Sequence, residues 1–169
     1  GTGGIAIGKG ILEGNQTHIL SFKISWNRLK NVGAGAIAKA FVDLGGSAIS
    51  VVDFSHNNII DDEIHVLSIA NLILQPKMEH YNCSNNRLGP IYAKLLRENM
   101  SISKCEAKEV DVGFNPLGTF ETAHIIENMK NNKIRKLKLE NTCDVYKGGD
   151  EDIQYVFELS ERVARAKNV

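Results

Sequence analysis

One hydrophobic pattern runs through most of the chain. An apolar residue is followed three places later by another, two later by a third, three later by Asn, and two later by Leu or Ile. The first copy is Ile19, Phe22, Ile24, Asn27, Leu29, and the second is Ile49, Val52, Phe54, Asn57, Ile59. The third is Met78, Tyr81, Cys83, Asn86, Leu88, and the fourth is Ala107, Val110, Val112, Asn115, Leu117. A fifth, Ile134, Leu137, Leu139, Thr142, keeps the spacing with Thr in the Asn place. Successive copies start 30, 29, 29 and 27 residues apart, the signature of a repeat array.

Each position of the template has a physical reason. Strand side chains alternate faces, so the apolar-x-apolar pair predicts a short strand with both apolar residues turned inward, near 22–24, 52–54, 81–83, 110–112 and 137–139. The Asn falls where the chain leaves the strand, and its amide can bond backbone groups that the turn would otherwise bury unpaired. Thr142 can do this only in part, which suits a last repeat.

Between strands the apolar period changes to that of helices. Ala36, Ile37, Ala40 and Phe41 form one stripe, and Ile64, Leu67, Ile69 and Leu72 a second. Ile91, Leu95 and Leu96 follow, then Phe120, Ala123, Ile126 and Met129. Pro90 suits a first helical position, and Asp61, Asp62 and Thr119 suit caps. The opening Gly3–Gly10 fits the spacing of a phosphate-binding loop but has Gly10 where the hydroxyl residue belongs, and no strand precedes it. The repeat register instead lays Gly3 on Gly33 and Ile7 on Ile37, which makes the segment the outer helix of an incomplete repeat.

Composition narrows the function classes. The chain has 169 residues with 20 basic and 20 acidic side chains, so no overall charge favours nucleic acid or an anionic membrane. No apolar run reaches the length of a membrane-spanning helix. Cys83, Cys105 and Cys143 lack zinc or redox spacing and are expected to be free thiols of a reducing compartment. Asp61, Asp62, Glu63 and His65 resemble an acidic metal cluster, but acidic residues at a helix start oppose the helix dipole and need no ion. Lys130, Lys133, Arg135, Lys136 and Lys138 interleave with fifth-strand core anchors and are expected to be a solvated strand face.

The expected fold is therefore an α/β solenoid, a horseshoe arc with parallel strands on the concave face and helices on the convex face. Residues 1–149 form the repeats, and residues 150–169 a capping helix begun by Asp150. The pattern LxxLxLxxN followed by a helix resembles ribonuclease-inhibitor-like leucine-rich repeats over roughly residues 3–143. Stretches 24–41 and 51–59 look most like the cytoplasmic and ciliary members, axonemal ones included. The resemblance implies a cytoplasmic interaction module or scaffold with a protein partner, with no enzymatic activity, cofactor, metal, nucleic acid or membrane. Regulation of an enzyme, as by a GTPase-activating protein, is the alternative. The register places Lys23, Asp53, Asn82, Asp111, Lys136 and Lys138 on the concave face, with Trp26, His56, Asn85 and Phe114 in one column at the strand ends. The N-terminal edge is expected to be continued by further repeats or covered by another chain.

Overall fold

The computed structural model describes residues 1–45, 47–102, 105–129, 133–143 and Glu158. Helix α1 (Thr2–Glu13) opens the chain. It is followed by β1 (Ser21–Lys23), α2 (Lys30–Asp43), β2 (Val51–Asp53), and α3 (Glu63–Asn71) with a 3-10 turn at Leu72–Leu74. Then come β3 (His80–Asn82), α4 (Pro90–Ser101), β4 (Glu109–Asp111), α5 (Thr119–Asn128) and β5 (Lys136–Lys138). The five strands form one parallel sheet in chain order, and each middle residue faces the next, Phe22 to Val52 to Tyr81 to Val110 to Leu137. The repeat register read from the sequence is thus the register of the sheet. The helix expected over 150–169 lies, apart from Glu158, outside the described residues.

Every strand ends one residue before the expected apolar pair does. The recurrent Asn is the reason. Asn86 Nδ2 donates to the carbonyls of Phe54, Cys83 and Ser84, while its Oδ1 accepts from the backbone N–H of Asn57 and Ile59. Asn57 serves Ile24, Phe54 and Ser55 in the same way, and Asn115 serves Cys83, Val112 and Gly113. The carbonyl of the second inward residue is therefore taken by a side chain, and the regular strand pairing is interrupted there. Asn57 and Asn115 are fully buried, and each links two coils through groups that would otherwise be unpaired. Thr142 makes the partial version, donating to the carbonyl of Leu139.

Inward strand residues and the inner sides of the helices share one core. Phe22 meets Phe41 and Phe54 edge to face. Tyr81 and Cys83 stand where the template has aliphatic residues, and they are buried with Tyr92; the Tyr81 hydroxyl donates to the Ile69 carbonyl and lies 2.9 Å from the Tyr92 hydroxyl. Two expected helix stripes are off by a residue. In α3 the buried residues are Val66, Ile69 and Ala70, while Ile64 and Leu67 face outward; in α4 they include Tyr92, Ala93 and Leu96, while Ile91 is exposed. Apolar residues on two faces of these helices made the stripe ambiguous, and packing against the sheet selected one. Phe120 in α5 is likewise exposed.

The segment Gly3–Gly10 is helical, within α1, and α1 packs closely on α2. A Cβ on Gly4 would lie 2.5 Å from the Gly33 Cα, so these two glycines let the backbones touch. The expected α/β class with parallel strands is the one observed: among the described residues, five parallel strands and five helices form a two-layer array.

Candidate interaction surface

The sheet turns two columns of side chains away from the core. Ser21, Val51, His80, Glu109 and Lys136 form one, and Lys23, Asp53, Asn82, Asp111 and Lys138 form the other. All of them except Ser21 line an open depression of about 420 Å³. The second column reads basic, acidic, neutral, acidic, basic across the sheet. Lys138 Nζ lies 3.0 Å from Asp111, and Glu109 is shared by His80 at 3.4 Å and Lys136 at 3.9 Å. Asp111 holds the Lys138 ammonium above its usual pKa, chiefly through their hydrogen bond. The basic run at the fifth strand is thus largely neutralised by the fourth repeat, with Lys133 also paired to Glu106.

Asp53, Asn82 and Asp111 also brace their own turns. Asp53 Oδ1 accepts from the N–H and hydroxyl of Ser55, Asn82 from the N–H of Ser84, and Asp111 from the N–H of Gly113. Three of the predicted site residues therefore have a structural role that the sequence reading did not assign.

The strand ends carry a second surface. Trp26, His56, Asn85, Phe114 and Asn141 all adopt left-handed backbone, with φ between 52° and 64°. Their N–H groups continue the ladder, Trp26 to Ser55, His56 to Ser84 and Asn85 to Gly113, so the column is contiguous. The Trp26 and His56 rings stack at 3.7 Å and 11°. Trp26, His56 and Asn85 line a separate depression of about 410 Å³ with Arg28, Asn58, Asn86 and Arg87. Phe114 is exposed but lines neither depression. The other predicted residues are thus divided between two depressions. Arg28, Asn58 and Arg87 were missed, although each stands just after a template Asn, so reading that column would have found them.

The acidic cluster before α3 is occupied by helix ends. Asp62 caps α3, accepting from Ile64 and His65 N–H, and the Asn31 amide also donates to it; these bonds, that from Asn31 foremost, lower its pKa to about 2. Asp61 caps α4, one repeat later, through the N–H of Ile91 and Tyr92. Thr119 is not a cap, because Gly118 holds that position with φ 88°. Among the described residues no group of three or more His, Cys, Asp or Glu is placed to hold a metal. The three cysteines are free thiols, with Cys83 and Cys105 buried.

No protein-family model matches the sequence. No curated protein matches it either. Solved structures do. The tropomodulin C-terminal domain from Caenorhabditis elegans superposes with a TM-score of 0.67 at 16% identity, covering 97% of this chain and 95% of that one. Leiomodin-1 actin-binding site 2 superposes with a TM-score of 0.65 at 10% identity, covering 95% of this chain and 90% of that one. The fold is similar to the tropomodulin C-terminal domain.

That likeness corrects the family expected from the repeat. The two solved structures named above are tropomodulin and leiomodin domains, not ribonuclease-inhibitor-like proteins, so the leucine-rich-repeat assignment does not stand, and the likeness supports neither its ciliary and axonemal setting nor the GTPase-regulator alternative. The physical reason is that the periodic residues are those any strand–turn–helix coil needs to fill its core and satisfy its turn. They specify an architecture rather than a family.

Proposed function

We propose that this chain is a non-enzymatic protein-interaction module that receives its partner on the outward sheet face. The observation that carries the reading is the pair of side-chain columns running unbroken across all five strands, with an acidic centre at Asp53, Glu109 and Asp111 and lysines at both ends. Repeated coils offer an extended surface of this kind, and complementary charge fixes how a partner lies on it. Lys23, Asp53, Asn82, Asp111, Lys136 and Lys138 are the contacts assigned to this face, with Trp26, His56, Asn85 and Phe114 at its rim. The likeness to leiomodin-1 actin-binding site 2 makes actin the first partner to test.

The test is equilibrium binding of monomeric and filamentous actin to the chain and to Lys23→Glu/Lys136→Glu, which reverses both basic flanks without touching a turn brace. Saturable binding that weakens about tenfold or more in the variant supports the reading. Absence of binding to either form removes actin as the partner, and unchanged binding by the variant removes the sheet face.

A further inference from the structure

The rim depression differs from the sheet face in how its charges are placed. On the sheet the fifth-strand lysines are met by carboxylates. At the rim Arg28 and Arg87 have no ion-pair partner among the described residues, and no carboxylate lines the depression. Two rows cross three successive coils there. The outer row is Trp26, His56, Asn85, and the row two residues on is Arg28, Asn58, Arg87.

The choice of residue adds an independent observation. Trp26, Arg28, His56, Asn58 and Asn85 line the depression in left-handed backbone. Asn and Gly adopt that conformation at low cost, and the same column uses Asn at Asn85 and Asn141. Trp and Arg at such positions carry a cost that the turn itself does not require, and strained residues of this kind gather where they bind something. Shielding of the turn does not account for Trp26, whose surface is 74% exposed.

We infer that the rim groove formed by Trp26, His56, Arg28, Asn58 and Arg87 binds an extended acidic peptide segment of a partner protein, with carboxylates on the two arginines and an apolar side chain over Trp26. Guanidinium forks match carboxylates in two-bond geometry, and an exposed Trp is a strong apolar anchor. Arg28 and Arg87 lie two coils apart, which at ordinary strand spacing is about 10 Å. A chain extended as polyproline II rises about 3.1 Å per residue with three residues per turn, so two carboxylates three residues apart lie on one face about 9 Å from each other. A nucleic acid is the weaker occupant, because its backbone needs a tract of unpaired cations and the neighbouring sheet face presents Asp53, Glu109 and Asp111. The inference rests on the reading of the chain as an interaction module, but not on the sheet face being its contact.

Trp26 is the only tryptophan, so its fluorescence reports on this groove alone. A random phage-displayed peptide library selected on the whole chain is expected to enrich sequences with two acidic residues three apart beside an apolar one. The best such peptide should shift Trp26 emission on titration. Arg28→Gln/Arg87→Gln should weaken its affinity about tenfold or more with an unchanged circular dichroism spectrum. Lys23→Glu/Lys136→Glu should leave it unchanged. A library without binders, binders without acidic enrichment, or binders indifferent to the arginine variant overturns the inference. Peptides sensitive only to the sheet-face variant overturn it too while leaving the interaction reading intact. Saturation of the Trp26 signal by oligothymidylate at peptide-like concentrations, with competition between the two, assigns the groove to nucleic acid and also overturns it.

Discussion

The recurrent Asn shows most plainly how a single residue sets this structure. Asn86 makes five side-chain hydrogen bonds to backbone groups of two coils, whereas the exposed Asn27 donates only to the carbonyls of Ile24 and Ser25. Asn86→Ala should cost about 3 kcal/mol, since buried donors and acceptors lose their partners, and Asn27→Ala about 1 kcal/mol. Urea unfolding of the two variants measures the difference, and equal losses would show that the ladder is not what holds the coils. Cys83 gives a second residue-scale expectation. Burial pushes its thiol up to about 12 from an ordinary 9.0, and burial likewise raises Tyr81 and Tyr92 well above 10.0. A group whose pKa is raised on folding contributes stability that is full below the unfolded value and lost above it. Unfolding free energy should therefore begin to fall as pH passes 9.0 and keep falling toward about 12. In native protein a thiol reagent should label the half-buried Cys143 quickly and leave Cys83 and Cys105 unmodified until urea is added. The Asn role and the burial of Cys83 were legible in the sequence, because both follow from a fixed place in the template. The Tyr81–Tyr92 pairing was not, because Tyr92 belongs to a helix whose rotation about its axis no local pattern specifies.

At the scale of elements, the contact of α1 with α2 makes a sharp contrast among glycines of one helix. A Cβ on Gly4 would meet Gly33 backbone at 2.5 Å and one on Gly8 would meet the Ala36 carbonyl at 2.6 Å, while Gly3 and Gly10 have nothing within 4 Å. Gly4→Ala and Gly8→Ala should each destabilise by about 1–3 kcal/mol, because backbone cannot give way as a side chain can. Gly3→Ala and Gly10→Ala should be neutral or stabilising by up to about 1 kcal/mol through helix propensity. Thermal unfolding of the four variants separates these outcomes, and a common effect would contradict the packing. Asp62 supplies an acid limit. Its pKa is lowered from 3.8 to about 2, so its contribution is present above 3.8 and is lost as pH falls toward 2. Asp62→Asn should lower stability at neutral pH and flatten the acid limb of the stability curve between those values. Strand positions were readable because alternation and the Asn together fix register. Helix faces were less so, since Ile64, Leu67, Ile91 and Phe120 add apolar residues where the helix meets solvent.

For the whole molecule, the sequence carried the order and parallel pairing of the strands, and it named both outward columns. It did not carry the split between a charge-paired sheet face and a rim with two unpaired arginines, because ion pairing depends on which residues meet across coils about 29 residues apart in sequence. Nor did it carry the likeness to tropomodulin, since core and turn residues recur in any array of this type. The central claim is that the outward sheet face receives a protein partner. Calorimetric titration of actin into three forms of the chain tests it most directly: the unaltered chain, Lys23→Glu/Lys136→Glu on the sheet, and Lys94→Glu on the exposed side of α4. The account predicts saturable binding that falls about tenfold or more for the sheet variant and is unchanged for Lys94→Glu. Binding lost in Lys94→Glu and kept in the sheet variant would contradict it.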